Sequence, residues 1–349
     1  MADIAAETPA TSDIQNRLPP SLCAALSPPH HPLGQWPTPL ECICHPELGR
    51  VLVKRDDLAG FGGEARSGVK ARKLEGLLGH MQAEGLTALR MPLGNITNLG
   101  PALIAEARKL GVEVHLDLVD DPPLRPETRQ AVHSGYAAGI ARLHGPSYMA
   151  AAFRLGGSLL RDQLARQRSL CVPPSPAHPS AIVSMARGYL EMARQAKEQF
   201  GVLPDAVYLA SASGTSVAGL ALGEALGRAA GDPPVRIVAV QVVPEPLRLW
   251  LPILFAWTVR FLRPARIPFP RCEVVAWPNH TVYGRFSATH EAICARVENS
   301  YGLTIDPIYG AKSWDVMERM PTGDTGRPPL FWHCGYTPNW RALAEELRL

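Results

Sequence analysis

Along the chain, apolar positions recur first at every second residue and then at helical spacing. The segments WPTPLECI (36–43) and RVLVKRDDL (50–58) predict an extended piece and a strand, the second through its β-branched alternation. GFGGEARSG (60–68) is turn-rich, and SGVKARKLEGLLG (67–79) then predicts a helix. LTALRMPLG (86–94) predicts a short strand, PALIAEARKLG (101–111) a helix stopped at Gly111, and VEVHLDLV (112–119) another strand. Two segments, 131–145 and 148–167, read as mostly helical, and SAIVSMARGYLEMARQAKEQFG (180–201) as a long amphipathic helix closed by glycine. DAVYLASASGTSVAGLALGEALG (205–227) reads as strand, Ser/Gly loop and helix, and VRIVAVQVV (235–243) as a strand.

Such alternation makes parallel sheets flanked by helices, with no internal repeat. Ligands gather in these sheets at loops beyond the carboxyl ends of strands, beside helix N-termini. EARSGVK (64–70), PLGNITN (92–98) and SASGTS (211–216) hold that position.

At 349 residues the chain is long enough for two lobes of one enzyme-sized fold. Its 35 basic and 32 acidic residues leave a net charge of +3, and no basic run argues for nucleic acid. Seven scattered cysteines read as reduced thiols of a cytoplasmic protein. Cys42, Cys44 and His45 have no second ligand cluster at metal-site spacing, so no metal is expected. The start, MADIAAETPATSDIQNRLPPSL, lacks the apolar core of a signal peptide and reads as a flexible tail over 1–30. The stretch LRLWLPILFAWTVRFL (247–262) is broken by Pro252 and Arg260 and falls short of the roughly 20 residues that span a bilayer. It reads as a buried or interface helix, which suggests a homodimer and no membrane contact.

SASGTSVAG (211–219) follows an apolar strand and opens a helix. Its small residues let backbone N–H groups and the Ser213, Thr215 and Ser216 hydroxyls reach a phosphate; a capped strand–helix turn is the other reading. No Lys-Ser/Thr pair ends it, and its glycines do not follow the dinucleotide spacing. A second helix start, in another strand–loop–helix unit, carries Lys70, Arg72 and Lys73. Cations are disfavoured there unless an anion lies close by. A phosphate cradle together with a helix-start lysine suggests pyridoxal 5'-phosphate.

GVKARKLEGLLG resembles the GGNKxRKLE segment of the D-cysteine desulfhydrase and 1-aminocyclopropane-1-carboxylate deaminase family, pyridoxal enzymes of the tryptophan synthase β-like fold. WPTPLE…VLVKRDDLAGFGG, LGNITNLGPALIAEARKLG, YLASASGTSVAGLALG, VYGRFS, TIDPIYGAKSWDVM and LFWHCGY resemble further family segments in the same order, over about 35–336. The resemblance implies an α/β fold of two open, twisted, mainly parallel sheets, with the cofactor between a small and a large domain. The large domain is expected over 31–80 and 200–349, the small one over 81–199. It implies that Lys70 carries the cofactor and takes the substrate α-proton, and that Asn98 lies beside the cofactor ring. Residues Ser213, Gly214, Thr215, Ser216 and Val217 would cradle the phosphate. Thr97, Tyr283 and Tyr309 would face the substrate. Burial and neighbouring positive charge would hold Lys70 neutral.

Four positions depart from the family pattern: Ser67-Gly68-Val69 for GGN, Thr97-Asn98-Leu99 for SNH, Gly310 for a glutamate or threonine, and the altered stretch AHPS (177–180). The residue at 310 partners the pyridine nitrogen in the family, leaving water, Ser313 or Cys334 as candidates here. The expected function is a lyase or deaminase that eliminates a β-substituent from a small amino acid, giving keto acid and ammonia. Replacement at the β- or γ-carbon, carbon–carbon bond formation, and a catalytically silent ligand-binding homologue are the alternatives.

Overall fold

The computed structural model describes residues 18–337 apart from 28, 61–67, 98, 121–123, 135–139, 145–147, 245, 263–266, 278–281, 321–322, 324 and 336. Its strands are β1 (Leu40–His45), β2 (Gly49–Lys54), β3 (Ala88–Gly94), β4 (Glu113–Val119), β5 (Ile140–His144), β6 (Ser169–Cys171), β7 (Ala206–Ser211), β8 (Arg236–Gln241), β9 (Glu273–Ala276) and β10 (Leu330–Trp332). Its helices are α1 (Pro20–Ala25), α2 (Val69–Ala83), α3 (Leu99–Lys109), α4 (Pro126–Ser134), α5 (Tyr148–Leu164), α6 (Pro179–Phe200), α7 (Thr215–Ala229), α8 (Leu247–Phe261), α9 (Ala288–Tyr301) and α10 (Gly310–Arg319).

The strands form two sheets, one of six strands in the order β1-β2-β10-β7-β8-β9 and one of four in the order β5-β4-β3-β6. Only the β1–β2 hairpin is antiparallel among these pairings. This is the α/β architecture of mainly parallel sheets that the sequence predicts.

The segment 131–145 differs from its helical reading. Helix α4 ends at Ser134, and Ile140–His144 pairs in parallel with β4, His115 opposite Ile140. The small residues of GYAAGIARLH carry a weak pattern, and the ladder partner on β4 decides the outcome. Strands β6, β9 and β10 are three or four residues long, too short to show a period. The shortness of β10 hides its importance, because it threads between β2 and β7 at the centre of the large sheet.

Helix α6 starts at His178, whose ring accepts from the Ser180 N–H, with Pro179 in the first turn. It ends at Gly201, which has φ +69° and returns its N–H to the Lys197 carbonyl. Gly219 and Gly223 of α7 meet Met185 and Tyr189 of α6, where a Cβ would lie 2.2 and 2.5 Å from theirs. The two helices therefore pack closely, sharing one apolar core with β7 and β8. Ala71, Leu74, Leu77, Leu78 and Met81 of α2 instead pack with β3, β4 and α3. Helix α6, expected within the small domain of 81–199, packs on the large sheet.

Helix α8 buries Leu247, Leu251, Leu254 and Phe255 and leaves Leu249 and Ile253 on its outer side 71% and 56% exposed. No helix among the described residues is long and apolar enough to cross a membrane.

Candidate active site

A cavity of about 430 Å³ opens where α2, the loops after β3 and β7, and the segment after β10 converge. Lys70, Thr97, Ser213, Gly214, Thr215, Ser216, Tyr283 and Tyr309 line it, so eight of the positions expected from sequence meet in one place. Val217 does not line it: its side chain is packed in the core of the large sheet, which leaves its backbone N–H as the group it can offer. Asn98 lies outside the described residues.

The α2 start is held by the returning C-terminal segment. Gly68 precedes the helix at φ +56°, and a Cβ there would sit 2.2 Å from the Cys334 carbonyl oxygen. That oxygen accepts the Val69 N–H at 3.0 Å. A side chain at 68 would both strain the backbone and push this segment away.

The three cations of the α2 start have different fates. Arg72 turns from the cavity into a buried ionic cluster, bonding Asp56 through Nε and Nη2 at 2.9 Å each and Glu191 through Nη1 and Nη2 at 3.0 and 2.8 Å. Lys54 completes the cluster by donating to Glu191 at 2.5 Å, Gln195 at 2.7 Å and the Thr38 carbonyl at 2.7 Å. Trp332 of β10 donates to Asp56 at 2.9 Å, so the cluster joins β2, β10, α2 and α6.

Lys70 and Lys73 line the cavity instead, and neither amine makes a hydrogen bond or ion pair among the described residues. Burial pushes the Lys70 pKa down, opposed by Asp306 and Cys334. Desolvation is thus what favours the neutral amine. The positive neighbour expected from sequence acts on Lys73, which burial and then Lys70 lower to about 8.

Lys73 yields a pH prediction for the cofactor-free protein. The unfolded lysine titrates at 10.5 and the folded one at about 8. Between these values the unfolded chain binds more protons, so stability rises with pH across that window. Lys73→Met is expected to be more stable than wild type by roughly 2–4 kcal/mol at pH 7, with the gap closing towards pH 10.5. Urea unfolding of both proteins from pH 7 to 10.5 measures it, and a gap that does not change with pH would contradict this origin.

The loop after β7 has the form of an anion cradle. Gly214, at φ +82°, precedes α7 without any side-chain cap. The first intrahelical donor there is Ala218 N–H, to the Gly214 carbonyl at 2.8 Å, so the N–H groups of Thr215, Ser216 and Val217 have no intrahelical acceptor. Ser213 and Thr215 hydroxyls lie 3.0 Å apart, and Thr215 donates to the Ser175 carbonyl at 3.1 Å. Trp250 of α8 clamps the loop through its indole N–H, 3.0 Å from the Ser213 carbonyl. Ser211 Oγ is buried with no partner among the described residues. An uncapped helix N-terminus, an orphaned hydroxyl and two unpaired lysines in one cavity fit a group carrying a phosphate.

Across the cavity, the Tyr283 and Tyr309 hydroxyls hydrogen-bond each other. The Thr97 hydroxyl accepts the Leu99 N–H at the start of α3. Ser313, a sequence candidate for the ring partner, does not line the cavity and donates to the Tyr309 and Gly310 carbonyls. Burial raises the Cys334 thiol to about 12, and its Sγ donates to the Trp332 carbonyl at 3.5 Å. At Gly310 a Cβ would lie 2.8 Å from the Ile305 Cβ, so position 310 is closed to a larger residue.

Asp306 lines the cavity and was not identified from sequence. The Asp-Pro pair that begins four residues ahead of α10 is a helix-start signal that points to it. His45, read with Cys42 and Cys44, bonds Glu318 at 2.9 Å through Nε2 and accepts the Glu47 and Leu48 N–H groups at Nδ1.

No family profile matches the chain. A protein of Pyrococcus abyssi named a putative 1-aminocyclopropane-1-carboxylate deaminase is 28% identical over 91% of this chain and 95% of its own length. A bifunctional D-cysteine desulfhydrase/1-aminocyclopropane-1-carboxylate deaminase of Arabidopsis thaliana is 25% identical over 91% of this chain and 81% of its own length. A protein of Nocardia uniformis named nocardicin C-9' epimerase is 30% identical over 88% of this chain and 93% of its own length. The chain belongs to the 1-aminocyclopropane-1-carboxylate deaminase and D-cysteine desulfhydrase family.

Family membership agrees with the fold. The crystal structure of a deaminase homologue superimposes with a TM-score of 0.75, covering 95% of this chain and 99% of that one at 24% identity. Two departures from the family pattern put apolar side chains at or near the cavity. Val69 lines it where the family has an amide, and Leu99 is buried in the core of the small sheet.

Proposed function

We propose that the protein is a pyridoxal-phosphate-dependent lyase of the deaminase type, acting on a small amino acid and releasing keto acid and ammonia. The observation that carries this reading is the unpaired Lys70 amine, lowered by burial, in one cavity with the uncapped start of α7. Lys70 would hold the cofactor, and the 213–217 backbone with Lys73 would hold its phosphate. The bound cofactor supplies an electron sink for charge that develops at the substrate α-carbon.

The rest is the work of the chain. Lys70 Nζ accepts the α-proton, which a neutral amine can do and an ammonium cannot. Tyr283 and Tyr309, sharing one hydrogen bond, form a donor pair that can pass a proton to a departing group. Thr97 offers a hydroxyl to the substrate carboxylate. Leu93, Val243, Leu247 and Trp250 wall the cavity and exclude water.

A panel of D- and L-amino acids, with keto acid and ammonia measured, tests the reading on protein loaded with the cofactor. Release from at least one of them is expected, together with a reductively trapped label on the peptide containing Lys70. No product from any amino acid, or a label on another lysine, would overturn it.

One relative is named an epimerase, and Lys70 and the tyrosine pair are two proton-handling groups in one cavity. This favours a second reading in which the α-proton is removed and returned. In deuterated water, label entering the α-position without keto acid would select that reading.

A cytoplasmic location and a homodimer complete the proposal. The seven cysteines, none in a disulfide among the described residues, support the first, and the apolar outer side of α8 supports the second.

A further inference from the structure

Asp306 is the single carboxylate among the described residues that line the cavity. It is fully buried, and no arginine, lysine or histidine among the described residues forms an ion pair with it. Backbone N–H groups hold it: Oδ1 accepts from Tyr309 at 2.7 Å and Gly310 at 3.2 Å, and Oδ2 accepts from Thr337 at 2.6 Å. A carboxylate has about four acceptor positions, so these three donors among the described residues leave one open, on Oδ2. Leaving an acceptor of a buried charge unused is costly, and the cavity is where a further donor can enter.

A helix-capping aspartate accounts for the two bonds to Oδ1 and for nothing beyond them. The Thr337 bond and the place in the cavity wall need a different explanation. The pyridine nitrogen of pyridoxal phosphate supplies one, because its proton makes it a single N–H⁺ donor and an adjacent carboxylate retains that proton. Of the two side chains that the sequence offers for this role, the Cys334 thiol donates to the Trp332 carbonyl, and Ser313, which does not line the cavity, donates to the Tyr309 and Gly310 carbonyls.

We propose that Asp306 faces the cofactor's pyridine nitrogen and keeps it protonated, so that the ring is a full electron sink although residue 310 carries no side chain. The inference rests on the reading that pyridoxal phosphate is held at Lys70. It assigns Asp306 a catalytic role through the charge of the ring; the proton stays on nitrogen and is shared with Oδ2.

Nitrogen-15 in the cofactor ring tests this without turnover. Wild-type protein loaded with labelled pyridoxal phosphate is expected to show the pyridinium frequency at neutral pH. Asp306→Asn keeps an oxygen for the Tyr309 and Gly310 N–H groups and removes the charge, and its signal is expected at the frequency of deprotonated pyridine. Asp306→Ser, a shorter uncharged cap, is the second variant should the first not fold. A deprotonated ring in the wild type, or a pyridinium signal that persists in either variant, overturns the inference alone. A wild type with no trapped label at Lys70 overturns it together with the reading beneath it.

Discussion

Lys70→Ala is expected to leave a folded protein that cannot hold pyridoxal phosphate covalently and turns over at least about 10²–10⁴-fold more slowly, the usual contribution of one proton-transfer group. The fold should survive because the Lys70 amine makes no hydrogen bond or ion pair among the described residues. Alanine is also a better helix former than lysine, and the change removes an amine that burial already disfavours. Reductive trapping with peptide mapping, beside a keto acid assay, reads both halves of the expectation. A variant that still traps the aldehyde elsewhere and keeps its rate would move the chemistry to another lysine, with Lys73 the nearest candidate.

Arg72→Ala, two positions along the same helix, is expected to act on stability. Arg72 is 4% exposed and bonds both Asp56 and Glu191, each of them buried. Its removal leaves two carboxylates in a place without water, with Lys54 as the remaining cation of the cluster. Breaking a buried pair by removing one partner costs about 3–5 kcal/mol. That corresponds to a fall in Tm of about 10 °C for a domain of this size class. Urea unfolding of the variant measures it, and a loss below about 1 kcal/mol would show that water enters the cluster readily. The cluster ties α2 to β2, β10 and α6, so Arg72→Ala should also weaken cofactor binding by loosening the turn that presents Lys70.

These two residues show how far the sequence was legible. KARK displays three cations in four positions and does not reveal which of them faces acid and which a cavity. The partners of Arg72 lie 16 and 119 residues away, on elements whose order in space no local pattern encodes. Lys73 lines the cavity beside Lys70, because consecutive helical positions turn through about 100° and a narrow cavity can admit 70 and 73 together. Asp306 went unread for a similar reason: a helix-start aspartate looks the same whether or not a cavity lies behind it.

The strand–helix alternation, the Ser/Gly loop before α7 and the glycine stops at 111 and 201 follow from local chemistry, since period, capping and left-handed backbone are properties of a few neighbouring residues. Ordered segments along the chain were likewise enough for the family. Only the tertiary structure decided that residues 140–144 are a strand, that the short β10 fills the centre of the large sheet, and that Cys334 closes on Gly68. In each case the deciding partner is remote in the chain. Hydrogen bonds across a sheet and desolvation in a cavity exist only once the elements have met.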